Sequence, residues 1–181
     1  TVEHSAQPGT GKQNGTPVNL VMHTTETSHV IPKLRYPSNF QCGEGRIVQH
    51  IKLGESGDAV LTYDRDCIGI EMVGFSTIGL WLPGESTLGP TVALVAWLHS
   101  EGLINTGLKR PYSWPDVLDR GPQAVTTYYR RVTPDKSGVY GHVDLAGGNS
   151  HWDPGSFNYT EFFKMIQQAL DGGDEMAYVD F

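Results

Sequence analysis

The segment Gly141-His142-Val143-Asp144-Leu145-Ala146-Gly147-Gly148-Asn149-Ser150-His151-Trp152-Asp153-Pro154-Gly155 brings two imidazoles and two carboxylates into one Gly-rich stretch near the C-terminal end. Glycine lets such side chains turn onto one point, and neutral imidazole with carboxylate is the donor set that zinc accepts in a hydrolytic site. A third ligand has to come from elsewhere. His23 is the best donor, because it follows the apolar run Val18-Asn19-Leu20-Val21-Met22 and so falls at the carboxyl end of a strand. Three protein ligands leave one coordination position for water. Within the loop Asp144 rivals Asp153, and Asp153 also fits the opening position of a turn ahead of Pro154-Gly155. His29, six positions after His23, is the second choice among the early histidines, whereas His4, His50 and His99 read as surface or hydrogen-bonded core residues.

Several elements must position these groups. Val18 to Thr25 reads as a buried strand, and Ser38 to Cys42 with Arg46 to Lys52 read as a hairpin around Gly43-Glu44-Gly45. Cys67 to Val73 is a further strand whose alternation sets Ile68, Ile70 and Met72 on one face and Glu71 on the other. Leu88, Val92, Val95 and Leu98 recur at helical spacing after a cap at Ser86 or Thr87, ending near Gly102. Phe162, Met165, Ile166 and Ala169 mark a second helix, from Asn158–Thr160 to the stop at Asp171-Gly172-Gly173. A weaker helical pattern covers Pro122 to Arg131, and Lys109 to Asp119, with Pro111, Trp114 and Pro115, reads as an ordered loop walling a cleft. This order predicts an α/β fold, a central mixed β-sheet flanked by helices, with the zinc site at the carboxyl ends of strands.

The 181 residues, 38% of them apolar, suffice for one core, so residues 18–181 are expected to form a single domain behind an N-terminal arm or loop over residues 1–17. With 20 acidic against 13 basic residues and a net charge of -7, nucleic acid and anionic membrane are excluded as expected partners. No run approaches a membrane span, and Thr1-Val2-Glu3-His4 does not open an export signal, which leaves localisation open. Cys42 and Cys67 each border an apolar strand and read as buried thiols rather than a bridge. A monomer is expected.

From about Val18 to Ala169 the chain resembles the zinc-dependent N-acetylmuramoyl-L-alanine amidases of the type 2 amidase and peptidoglycan-recognition group, which includes many phage endolysins. The residues that carry the resemblance are His23-Thr24-Thr25 ending a strand, the hairpin Gly45-Arg46-Ile47-Val48-Gln49, the strand Ile68-Gly69-Ile70-Glu71, and the Gly-His to Asp-Pro-Gly loop. The resemblance implies His23, His142 and Asp153 as zinc ligands and hydrolysis of the amide between N-acetylmuramic acid and L-alanine in bacterial peptidoglycan. Its site of action would be the bacterial cell wall, reached by a phage-encoded enzyme through a membrane pore.

Many relatives place a glutamate acid/base where this chain has Glu71, and others use a tyrosine on the hairpin, where Ser38 and Asn39 stand here. Relatives commonly carry a lysine two residues before the last ligand to assist the oxyanion; here His151 holds that place, so activity is expected to weaken as pH rises. A Trp-His-Ala motif that lines the groove in many relatives is missing near Asp58. Substrate-binding residues are therefore left unassigned. Two other readings share these residues: a peptidoglycan-recognition module without chemistry, and a zinc peptidase cutting within the stem peptide. The first typically lacks a ligand that this chain retains, and the second lacks its usual short His-x3-Asp or His-Glu-x2-His patterns.

Overall fold

A strand buried on both faces should read as a continuous apolar run, and Asn19–Thr24, with all six residues buried, is the interior strand around which the sheet is built. The computed structural model describes residues 2–5, 7–59, 61–112, 132–145 and 151–172. In chain order these form β1 (Val2–His4), β2 (Gly11–Lys12), β3 (Asn19–Thr24), β4 (Phe40–Gly43), β5 (Arg46–Gln49), β6 (Glu55–Ser56), a 3-10 turn (Leu61–Asp66), β7 (Cys67–Met72) and β8 (Thr77–Trp81). Helix α1 (Glu85–Ser100), β9 (Gly138–Gly141), a 3-10 turn (His142–Asp144), β10 (Gly155–Phe157) and helix α2 (Tyr159–Asp171) follow.

The main sheet has the order β1-β5-β4-β7-β3-β9. Only the β4–β5 hairpin is antiparallel within it; the other neighbours run parallel, so the sheet is mixed as expected. One face carries Leu20, Met22, Phe40, Cys42, Ile47, Ile68, Ile70 and Met72 into a core completed by Leu94, Val95 and Leu98 of α1 and by Phe162 and Ile166 of α2. The opposite face buries Val21, Cys67, Tyr140 and Leu145. Both cysteines are free and buried. Among the described residues no helix is long and apolar enough to cross a membrane.

Three local differences from the sequence reading have physical causes. The opening segment is not wholly an arm or loop: Val2–His4 pairs in parallel with β5 as the sheet edge and Val2 joins the core. Three residues are too few for alternation to announce a strand. The hairpin loop is Glu44-Gly45 alone, both at positive φ (54° and 75°), as a tight two-residue turn requires, while Gly43 pairs with Arg46 inside the ladder.

Helix α1 begins after Gly84 with no side-chain cap, because the Thr87 hydroxyl donates to the Val73 carbonyl and ties the helix to the end of β7. Pro90 has no N–H for the Ser86 carbonyl four residues earlier, and the Gly45 N–H donates there instead at 2.7 Å, fastening hairpin to helix. Asn158 caps α2 as expected, its side chain accepting from the Glu161 N–H. The helical pattern over 122–131 and the loop beyond Tyr112 lie outside the described residues.

A Cβ at Gly43 would fall inside the van der Waals envelope of the Val73 side chain. Gly43→Ala is therefore expected to destabilise the protein by about 1–3 kcal/mol through overpacking. Urea unfolding checks this, with the wild type as reference.

Candidate metal centre

His23 is the fifth residue of β3 and is register partner to Glu71 of β7, so the two side chains leave the same sheet face side by side. On the other flank Met22 pairs with Gly141, the last residue of β9, which brings His142 up beside His23 just past the strand end. The 3-10 turn His142–Asp144 holds that imidazole. The Asp144 carboxylate accepts from the Gly141 N–H and meets the Arg110 guanidinium at 2.6 Å. Arg110 also donates to the Val139 carbonyl and lies over the Tyr159 ring at 4.0 Å. Asp144, the rival carboxylate, is thus turned to Arg110 and anchors the turn.

Asp153 is delivered separately. Its carbonyl accepts from the Val143 N–H at 2.9 Å, the Pro154 carbonyl accepts from Trp81 Nε1 at 2.8 Å, and Gly155 pairs with Thr77 of β8. These bonds seat Asp153 against the histidine turn whatever path the intervening loop takes.

The side chains of His23, His142 and Asp153 are all buried and offer ligand atoms within 4.8 Å of one another. Asp153 Oδ2 lies 3.3 Å from His23 Nδ1, and Oδ1 lies 3.4 Å from His142 Nδ1. These separations exceed the roughly 2.7–2.9 Å of a charge-assisted hydrogen bond. They match instead the edge of about 3.3–3.4 Å expected for a tetrahedron of donors about 2.0–2.1 Å from zinc. Among the described residues the buried His23 Nε2 has no hydrogen-bond partner, so none of them holds the ring on that side by conventional pairing.

Protonation suits the same occupant. Burial lowers His23 to about 4, against the opposing pull of Asp153, and so keeps the imidazole neutral. Burial alone would raise Asp153, but His142, His151 and His23 together hold it well below the usual carboxylate range. Neutral nitrogen and ionised oxygen are the forms a divalent cation binds. The donor set therefore fits zinc.

Glu71 is pushed up to about 8, first by burial and then by the neighbouring charge of Asp153, with Glu26 adding to it and Ser38 opposing. The Ser38 hydroxyl donates to Glu71 Oε1 at 3.2 Å, a contact that no sequence pattern announced. Asn39 faces the backbone instead, accepting from the Gly69 N–H. His151 stands at the rim, its side chain 54% exposed, stacked on His142 at 4.3 Å with Nδ1 3.4 Å from Asp153 Oδ1. His29 is exposed and lies outside the cluster. His50 is a buried core histidine, its Nε2 3.2 Å from Gln41 Oε1. Residues 146–150 of the late loop lie outside the described residues.

No family model matches the sequence, and no curated protein matches it. Solved structures do. The N-acetylmuramoyl-L-alanine amidase LysC from Clostridium intestinale URNW superimposes with a TM-score of 0.61 at 14% identity, over 92% of this chain and 97% of that one. Hydrolase AmiA from Staphylococcus aureus, solved in complex with its ligand, gives 0.59 at 14% identity over 94% and 83%. The catalytic domain of XlyA gives 0.53 at 16% identity over 92% and 99%. The chain shares their fold. At such identities the likeness reaches the architecture, and the chemistry has to be argued from the residues themselves.

The displaced protonation equilibria carry a stability signature in metal-free protein. His23, lowered from 6.5 to about 4, contributes stability above pH 6.5 that is lost as pH falls through 4. Glu71, raised from 4.5 to about 8, contributes below pH 4.5 and loses that contribution as pH rises through 8. Glu71→Gln removes the second term, so its stability relative to wild type is expected to climb between pH 4.5 and 8. Urea melts of chelated protein across that range measure it, and a flat difference would contradict the burial of an ionisable Glu71.

Proposed function

We propose that the chain is a zinc-dependent N-acetylmuramoyl-L-alanine amidase that cleaves the bond between the lactyl group of N-acetylmuramic acid and L-alanine in bacterial peptidoglycan. The observation that carries this reading is the convergence of His23, His142 and Asp153 on one point, with Glu71 projecting from the adjoining strand. Zinc held by those three residues would supply Lewis acidity, lowering the pKa of water from about 16 to about 7 and polarising the scissile carbonyl.

Glu71 supplies the proton traffic. Its value near 8 lies close to neutral pH, where one carboxyl group can both take a proton from the attacking water and return it to the departing amine of L-alanine. The Ser38 hydroxyl holds Oε1, fixing which way the carboxyl faces. His151, at the rim beside the ligand carboxylate, is placed to donate to the oxyanion that develops on the carbonyl. A protonated ring does this better than a neutral one, so activity should decline as pH rises.

Full retention of the three ligands and of Glu71 supports catalysis over recognition alone. The net charge of -7 supports a substrate other than nucleic acid, and we read the protein as a monomer acting at the cell wall.

Purified peptidoglycan incubated with zinc-loaded protein should release new amino groups on L-alanine. Amino groups on another stem residue would instead indicate a peptidase. Asp153→Ala should retain no zinc by elemental analysis and should lose lysis, and undiminished release by that variant overturns the proposal. Glu71→Gln should keep its zinc and lose about 10²–10⁴-fold in kcat.

A further inference from the structure

Two described non-glycine residues adopt the left-handed backbone: Glu44, which serves the hairpin turn, and Glu26, at φ 51°. Such a conformation costs on the order of 1–3 kcal/mol and persists where the surroundings impose it. No hairpin register imposes it at Glu26. Its effect is to fold the side chain back over Thr24 and Ser76. Oε1 accepts from the Ser76 N–H at 2.9 Å, the Ser76 hydroxyl at 2.7 Å and the Thr24 hydroxyl at 2.6 Å.

One carboxylate oxygen is thereby saturated and the group is locked in orientation, yet the residue is exposed. Among the described residues Oε2 takes part in no hydrogen bond or ion pair. The surroundings are those of the metal centre. His23 lies three residues before Glu26, and Ser76 precedes Thr77, the register partner of Gly155, which lies two residues past Asp153. Glu26 therefore ties the segment that follows His23 at the end of β3 to the segment that follows Glu71 at the end of β7.

An exposed carboxylate that is pre-oriented, with one oxygen engaged and the other open, is built to receive a cation with N–H donors. Three residues of chain span at most about 10–11 Å, so Glu26 stands within one extended tripeptide of His23. We propose that Glu26 is a specificity residue, its Oε2 accepting from an ammonium group carried on the stem peptide within about two residues of the scissile amide. This rests on the amidase reading above.

The probes are two soluble muramoyl tripeptides with lysine in third position, one with a free ε-ammonium and one with that nitrogen acetylated. Wild type is expected to favour the free amine by about tenfold in kcat/KM, mainly through KM. In Glu26→Gln the preference should fall to near unity. The glutamine carbonyl can still accept the three donors that hold the loop, and unchanged zinc content and melting temperature verify that it does. Equal hydrolysis of both probes by wild type overturns the proposal. So does a preference that survives in the variant, since that would trace to the general negative charge of the protein. If zinc-loaded wild type cuts neither probe, the amidase reading itself fails, an outcome distinct from both.

Discussion

One buried carboxylate, that of Asp153, faces three imidazoles, and much of the local architecture exists to keep it there. An ionised group removed from water costs several kcal/mol unless it is compensated. Here His23, His142 and the rim histidine His151 surround it at 3.3–3.4 Å. That spacing is longer than a charge-assisted hydrogen bond and suits a cation shared among them. The Val143 N–H on the Asp153 carbonyl and the Trp81 indole N–H on the Pro154 carbonyl hold it against this electrostatic demand.

The sheet divides its two faces between stability and chemistry. Ile68, Ile70 and Met72 point into the helices, while His23, Glu71 and Gln41 occupy one row of neighbouring registers on the other face. Strand pairing alone therefore sets the spacing between His23 and Glu71, without any contribution from a flexible loop. A site built on strand ends in this way inherits the rigidity of the ladder. His142 exploits the same device, since β9 delivers it one residue past its pairing with β3.

Two carboxyl groups sit near each other with opposed protonation. Asp153 is held ionised by its imidazoles, whereas Glu71, opposed only weakly by the Ser38 hydroxyl, is driven up by burial and then by Asp153 itself. Environments that push two acids apart leave one ionised and the other able to exchange a proton near neutral pH.

The positions of His23 and Glu71 were legible in the sequence because they depend on local pattern. An apolar run before a histidine places it at a strand end, and period-two alternation in Cys67 to Val73 turns Glu71 away from the core. Helices α1 and α2 were legible for the same reason, since three- and four-residue spacing survives any tertiary arrangement. The cap of α1 was not, because the Thr87 hydroxyl is committed to Val73, fourteen residues earlier.

The family resemblance pointed to Asp153 within the late loop, but the physical reason that separates it from Asp144 lies in the tertiary structure. Asp144 and Asp153 are equivalent carboxylates by composition, and what separates them is Arg110, which lies 34 positions before the first and claims it through an ion pair. Ser38 reaches Glu71 across a comparable gap, and the edge strand Val2–His4 needs β5 before it has any reason to be extended. Periodicity in a chain reports which face a residue occupies; the partner waiting on that face comes from distant segments and is set only when the sheet closes.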